Sequence, residues 1–143
     1  MNRKGFTLIE LLAIIVLIGI VGVITVPSVL DAVGASRSAS YQMLIKNIVA
    51  ASENYYMECE YGDLSDSTKY GTYACSINDN TIITTLGTLA STGFLKTDSS
   101  KKVTNPNDNE DISLCEITIT KDNSVYKVTS NGGSNCPSTY EVE

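Results

Sequence analysis

Histidine is absent from this sequence of 143 residues, and basic residues are fewer than acidic ones. Without histidine the chain has no imidazole base, no Ser-His-Asp or Cys-His nucleophile and no zinc site with histidine ligands. Its four cysteines show no C-x-x-C spacing, which argues against a four-cysteine zinc site and against redox catalysis. Ten basic residues against sixteen acidic ones give a net charge of -6, whereas binding to phosphate backbones needs an excess of positive charge. We therefore expect neither an enzyme nor a nucleic-acid-binding protein, and no cofactor.

The apolar residues of the chain are concentrated near its N-terminus. Residues 6–26 read FTLIELLAIIVLIGIVGVITV, with Glu10 as the only charge. A helix of this length is about 31 Å long, which matches a bilayer core of about 30 Å. Arg3 and Lys4 precede it, and basic flanks stay on the cytoplasmic side of a membrane. The pattern predicts one membrane span, with everything after Pro27 outside the cytoplasm.

Two simpler interpretations of this segment are less favoured. A cleaved signal peptide has an apolar core of about 7–15 residues, which is shorter than the run found here. A plain membrane anchor would leave Glu10 unexplained, because a carboxylate within the bilayer costs on the order of 2.5–3.5 kcal/mol on insertion scales. Charged residues at such positions usually have a functional partner. We therefore expect Glu10 to take part in function.

The residues around Glu10 carry a family resemblance. A basic leader that ends in Gly5 is followed by FTLIE at residues 6–10, and Gly19 and Pro27 complete the pattern. This arrangement resembles the N-terminal signature of type IV pilins and the related pseudopilins. The resemblance covers about the first 30 residues of the chain and extends to the rest only in general layout.

What the resemblance implies is processing followed by assembly. A prepilin peptidase would cut between Gly5 and Phe6 on the cytoplasmic side, and the new amino group of Phe6 would be N-methylated. An assembly platform in the membrane would then transfer the subunit from lipid into a helical filament of identical copies. In pilins the helix between the matching glycine and proline often loosens on packing, so the resemblance assigns that role to Gly19, Gly22 and Pro27.

Glu10 and Phe6 are predicted to act together in assembly. A carboxylate or an ammonium alone is costly among apolar helices, but the two together form a charge-assisted pair. Such a pair can fix the register between neighbouring subunits, as a single polar residue does in a coiled coil. The expected partner of Glu10 is the Phe6 amine of its own or an adjacent subunit. The alternative is that Glu10 has no assembly role and its side chain only extends to the membrane surface, where the charge is hydrated.

The remainder of the sequence predicts an α+β protein of the pilin type, in which a long N-terminal helix packs on a small antiparallel sheet. Apolar residues from Leu30 to Tyr55 recur at spacings of three or four, which indicates an amphipathic continuation of the helix. We divide the chain into a leader (residues 1–5), a transmembrane or filament-core helix (6–27), an amphipathic helical half (28–57) and a globular head (58–143).

Two strands and a short helix can be placed in the head. Alternating apolar and polar residues predict strands around 115–120 and 126–129, joined by a four-residue turn at 121–124. Apolar residues within 86–94 share one face of a short helix. Residues 60–82 are expected to form a loop with short strands.

The four cysteines all lie in the predicted head, where disulfides stabilise small extracytoplasmic domains by about 2–4 kcal/mol each. Four cysteines allow three pairings. We favour Cys59–Cys75 and Cys115–Cys136, because each closes a local loop and the second ties the C-terminal tail to the sheet.

An acidic segment lies before the first predicted strand. Residues 105–111 contain the oxygen ligands Asn107, Asp108 and Asp111, and some pseudopilins hold calcium in a loop of similar position. The segment lacks the glycine and the ligand spacing of an EF-hand. We expect a polar turn here, with calcium binding as the alternative.

The sequence therefore favours a structural subunit of a type IV pilus-like filament. It would be a single-span protein of the cytoplasmic membrane, with its head outside, before assembly and part of a cell-surface pilus afterwards. Its expected partners are copies of itself, a prepilin peptidase, the assembly platform and membrane lipid. The alternatives are a pseudopilin of a type II secretion or DNA-uptake system and a membrane-anchored binding module that stays monomeric.

Overall fold

The structure, a computed structural model, describes residues 6–64, 66, 75–97, 99–133, 135–138 and 140. The predicted leader, residues 1–5 with Gly5, lies outside the described residues. A long N-terminal helix and a small antiparallel sheet confirm the predicted α+β, pilin-like architecture. In chain order the elements are helix α1 (Leu8–Tyr61), strand β1 (Thr81–Thr85), helix α2 (Leu86–Ser91), strand β2 (Glu116–Asp122) and strand β3 (Val125–Ser130).

Helix α1 runs through two compact units, residues 1–37 and residues 38–143. In the second unit it contributes Ile48 and Tyr55 to the core, at 0% and 2% exposure. Leu30, at 65% exposure, belongs to the predicted apolar stripe but lies in the first unit, whose described residues offer no second element to cover it. The stripe is therefore used for packing within the second unit alone. The helix ends at Tyr61, a few residues beyond the predicted end.

The sheet of the described residues has the order β1-β2-β3, and both strand pairs are antiparallel. The register places Ile82 opposite Ile119 and Ile119 opposite Val128, so these side chains form a row across one face. All three are buried in the same hydrophobic core as the buried residues of α1. The alternation seen in the sequence thus identified the buried face of β2.

The hairpin between β2 and β3 is tighter than predicted. Strand β2 continues through Lys121 and Asp122, so only Asn123 and Ser124 form the turn. Both turn residues have positive φ, 46° and 75°. Two-residue hairpin loops adopt this conformation because its twist matches that of the flanking strands. The expected turn of four residues is therefore a turn of two.

Helix α2 lies where the sequence predicts a short helix. Thr85 is its N-cap, and the Thr85 hydroxyl accepts a hydrogen bond from the Thr88 amide at 3.2 Å. Leu86 and Leu89 are its buried apolar residues at the core. Gly93 follows the helix with a φ of +88°, the left-handed conformation that favours glycine after a helix end.

Two disulfides close the head, and they are the pairs favoured above. Cys59 in α1 bonds to Cys75, which precedes β1, with their Cα atoms 6.0 Å apart. Cys115, directly before β2, bonds to Cys136 near the C-terminus, with a Cα separation of 5.6 Å. Both separations lie within the range of ordinary disulfides. The first bond anchors the end of the helix and the second anchors the tail.

Ile117 and Ile83 allow a matched test of the two faces of the sheet. Ile117 is 0% exposed in β2, whereas Ile83 is 62% exposed in β1. Ile117→Ala should lower the free energy of unfolding by about 2–5 kcal/mol, because it removes buried contacts and leaves a cavity. Ile83→Ala should lower it by about 0.5 kcal/mol or less. Denaturant unfolding of the full chain in detergent measures both, and equal losses would contradict the assigned faces.

Loss of either disulfide should destabilise the head. The bonded cysteines are 16 and 21 residues apart, and loop-closure estimates for such spans give roughly 3 kcal/mol each. The double serine variants of each pair are compared with the native chain in the same unfolding experiment. Mass spectrometry without reduction identifies the pairs, and another pairing or free thiols in the purified chain would contradict the assignment.

Candidate functional site

A capping box fixes the N-terminus of helix α1. The Thr7 amide and hydroxyl both donate to Oε2 of Glu10, at 2.9 and 2.8 Å. In return the Glu10 amide donates to the Thr7 hydroxyl at 3.3 Å. Thr7 is thus the N-cap, its carbonyl accepts the Leu11 amide at 3.2 Å, and the helix begins at Leu8. This cap was not predicted, although a threonine three residues before a glutamate is a known sequence signal for it.

The structure places Phe6 directly before this N-cap. Phe6 and Thr7 precede the helix, and the Phe6 side chain is 74% exposed. In the uncut chain the Phe6 nitrogen belongs to a peptide bond, so it carries no charge. Within the described part of the chain, the Glu10 carboxylate accepts hydrogen bonds from the Thr7 amide and hydroxyl. The predicted Glu10–Phe6 pair therefore requires leader cleavage and stays a prediction.

The first unit presents an unusually large apolar surface. Eighteen large apolar side chains between Phe6 and Val33 are exposed. Among the described residues, α1 is the one helix long and apolar enough to cross a membrane, by length and composition. Its most apolar window has a mean hydropathy of 2.9, and none of that window is buried. Because such a surface is unfavourable in water, it requires lipid or other protein chains.

Gly19 and Gly22 leave open space along this surface. A Cβ atom added at either glycine would meet no atom within 4 Å. Gly22 also lines a shallow apolar depression of about 350 Å³, together with side chains of Leu17, Ile18, Val21 and Thr25. Small residues let the backbones of neighbouring membrane helices approach closely. These two glycines are therefore suited to contacts between helices.

The predicted loosening of the helix is not a feature of the single chain. Helix α1 is continuous across Gly19, Gly22 and Pro27. Proline lacks the amide that would donate to the carbonyl four residues earlier, so the helix is intrinsically weaker at this point. Near this point the Thr25 hydroxyl donates a hydrogen bond to the Val21 carbonyl at 3.0 Å, within the helix itself. Loosening on assembly stays a prediction.

In the head, the acidic segment forms a hydrogen-bonded turn. Oδ1 of Asp108 accepts from the Glu110 amide at 3.0 Å. Asp111 accepts from the Ser113 amide at 3.0 Å and pairs with Lys102 at 3.2 Å. Hydrogen bonds from Ser113, with a smaller contribution from Lys102, lower the pKa of Asp111 to about 2. These carboxylates are thus engaged by neighbouring protein groups.

Calcium binding by this segment stays a prediction. The exposed Asn107 donates its amide to the side chain of Asn105, in the same turn. No group of three or more acidic, cysteine or histidine side chains is arranged to hold a metal within the described ranges. The geometry is that of the polar turn expected from the sequence.

Lys121 joins the sheet to the end of α1. Its Nζ lies 2.6 Å from Oε2 of Glu60 and 5.4 Å from the ring centre of Tyr61. The rings of Tyr56 and Tyr126 lie 5.9 Å from the same nitrogen, and pack against each other with centroids 5.4 Å apart. The Glu60 carboxylate raises the pKa of Lys121. The contact was not predicted from the sequence, which placed Lys121 in a turn.

Residues 1–26 match the family model described as the prokaryotic N-terminal methylation motif. Comparison with curated proteins and with solved structures found no match. The matched motif is the prepilin-type signature of type IV pilins and pseudopilins, which confirms the resemblance seen in the sequence. It supports a prepilin-processed protein and points to a structural subunit rather than an enzyme.

The leader cleavage site can be tested with one bulky substitution. Gly5→Leu should leave the leader uncut in cells that supply a prepilin peptidase, because the enzyme would need a small residue before the scissile bond. Gly34→Leu is the matched control, since a Cβ there meets nothing within 4 Å and lies outside the motif. Intact mass gives the readout. A Gly5→Leu chain that lost its first five residues as efficiently as the control would contradict the assignment.

Proposed function

We propose that this chain is the structural subunit of a type IV pilus-like filament. The observation that carries the proposal is the coincidence of two features in the first unit. The prepilin-type signature covers residues 1–26, and the same stretch of α1 exposes its apolar side chains. A helix that is both processed at its start and uncovered along its length is suited to packing against copies of itself.

Burial of the exposed apolar surface would stabilise the subunit both in the membrane and in the filament. Burial of each valine, leucine or isoleucine side chain contributes roughly 1.5–3 kcal/mol relative to water. Lipid provides this burial before assembly, and neighbouring helices provide it in a filament. Membrane insertion therefore stores the subunit, and assembly exchanges one apolar environment for another with a small change in hydrophobic free energy.

Glu10 makes the filament the better of these two environments. Its carboxylate within lipid has only the hydrogen bonds that its own chain supplies. After leader removal the Phe6 amine becomes a positive charge at the same end of a neighbouring helix. Pairing of the two charges offsets the cost of removing each from water. The polar pair also selects one axial register among many equally apolar ones.

The proposal includes a location and a set of partners. The uncut chain lies in the cytoplasmic membrane as a single span with its head outside, and the assembled subunit lies in a cell-surface pilus. Prepilin peptidase removes the leader, an N-methyl group is added to Phe6, and a membrane platform extracts the subunit. The disulfide-bonded head forms the outer surface of the filament.

Glu10→Leu tests the assembly role of the acid. The variant should insert in the membrane at least as well as the native chain, because a charge is removed from an apolar segment. Filament number should fall by more than about tenfold, since the Phe6 amine then lacks its partner. Asp31→Leu is the matched control: Asp31 is an exposed acid of α1 outside the signature.

Electron microscopy of material sheared from cells, with identification of its main protein, gives the readout. Long fibres composed of the native chain and of Asp31→Leu, but not of Glu10→Leu, would support the proposal. Normal fibres from Glu10→Leu would remove the role of the acid. A processed native chain that forms no fibres at its normal level would contradict the pilus assignment and favour a pseudopilin.

A further inference from the structure

Asn131 and Gly132 form the one Asn-Gly pair of the sequence. They directly follow β3, and both residues are exposed. An asparagine before glycine is prone to deamidation, because glycine has no side chain to keep its amide nitrogen away from the asparagine carboxamide. We propose that Asn131 is a deamidation site, and that Glu116 and Thr118 form a clamp that restrains the reaction. The site lies in the head and is independent of the proposed filament function.

The clamp holds both ends of the Asn131 carboxamide. Nδ2 of Asn131 donates to Oε1 of Glu116 at 2.6 Å, and Oδ1 accepts from the Thr118 hydroxyl at 2.6 Å. The bond to Glu116 has a charged acceptor, which makes it stronger than a bond between neutral groups. The carboxamide is therefore held against β2 by two side chains at once.

The register of the sheet explains why these side chains meet. Ile117 pairs with Ser130, so Asn131 lies opposite Glu116, and the Asn131 amide donates to the Glu116 carbonyl at 3.1 Å. Glu116 and Thr118 flank the buried Ile117, and side chains two positions apart in a strand share a face. Asn131 is thus bonded to its direct cross-strand neighbour and to the diagonal one.

Deamidation uses the backbone nitrogen of Gly132 as the nucleophile. A bond forms from this nitrogen to Cγ of Asn131, the bond from Cγ to Nδ2 breaks, and ammonia leaves with the proton of the Gly132 amide. Water then opens the resulting succinimide ring at either of its carbonyl carbons. The products are aspartate and isoaspartate at position 131.

The folded head opposes the first of these steps. The ring closes only when the Asn131 side chain turns along the chain towards the Gly132 nitrogen, whereas the clamp directs it across to β2. The Gly132 amide also donates its proton to the Ser130 hydroxyl at 3.2 Å, and that proton has to leave for the attack. The sheet thus slows a reaction that the local sequence favours.

Deamidation would change the contact between the two strands. It replaces the Nδ2 donor by a carboxylate oxygen that faces Glu116, and like charges directly opposite each other are destabilising in an antiparallel pair. One negative charge is added to the net charge of -6. Cys115, which directly precedes Glu116, carries the disulfide to Cys136. The product would therefore have a more acidic head and a weaker strand contact beside the disulfide that anchors the tail.

Four variants of the full chain separate the clamp from charge. Glu116→Ala removes the charged acceptor. Thr118→Val removes the hydroxyl and keeps the shape of the side chain, whereas Thr118→Ser keeps the hydroxyl. Asp122→Ala is the matched control for charge, because it removes an exposed acid from the other end of β2.

Each chain is incubated in detergent micelles at mildly alkaline pH, and peptide mass spectrometry follows aspartate and isoaspartate at position 131 over time. Deamidation of Asn131 should be roughly three- to tenfold faster than native in Glu116→Ala and in Thr118→Val, because a restraining hydrogen bond is lost. Its rate should stay near native in Thr118→Ser and Asp122→Ala. The native chain, reduced and unfolded in denaturant, should react faster than the folded chain.

Asn123, which precedes Ser124 in the hairpin turn, is an internal reference in the same molecules. Loss of the clamp should accelerate the reaction of Asn131 and leave that of Asn123 unchanged. Equal acceleration at both positions would show that the variants act through unfolding, and would overturn the clamp. Unchanged or slower reaction of Asn131 in Glu116→Ala and Thr118→Val would also overturn it. An Asn131 that stays unmodified in the unfolded chain would remove the deamidation site itself.

Discussion

A single carboxylate within an apolar helix is the constraint on which the proposed function depends. Glu10 is the only charge in residues 6–26, and hydrogen bonds from Thr7 satisfy one of its oxygens. Without that charge the segment would be an ordinary membrane anchor that is stable in lipid and has no preferred register against a neighbouring helix. With that charge, the helix carries one carboxylate that is more favourably paired with a cation than surrounded by lipid. In the proposed filament, processing at Gly5 would create such a cation on every copy, so leader removal would also supply the partner charge for Glu10.

The rest of the chain solves a different physical problem. A small head has a limited apolar core, and three kinds of contact stabilise it. Part of α1 supplies a buried stripe around Ile48 and Tyr55, the sheet supplies a second buried face, and two disulfides anchor the helix end and the tail. Lys121 adds a charged and aromatic contact between β2 and Glu60. The head is therefore organised around the helix that also carries the assembly signature.

Local patterns predicted what depends on neighbours along the chain. Alternation of apolar and polar residues predicted the strand around Ile117. Apolar residues spaced three or four apart predicted the short helix after Thr85, and the long apolar run predicted the N-terminal helix. The turn was misplaced because Lys121 and Asp122 are polar, yet they pair as strand residues. The Lys121–Glu60 contact joins residues 61 positions apart, and no local signal reports such a distance. Thr7 is different, because a threonine three residues before Glu10 is a recognised local signal for a helix cap, whereas the prediction gave Glu10 a role in assembly alone.

The most direct measurement of the central claim is the distance between the Glu10 carboxylate and the Phe6 nitrogen of another copy, read from a cryo-electron microscopy map of the assembled filament. The account predicts an oxygen of Glu10 within about 4 Å of that nitrogen at every subunit contact, the range of an ion pair. A well-resolved filament in which the carboxylate faces only apolar side chains, with the nearest Phe6 amine of another copy far beyond that range, would contradict it.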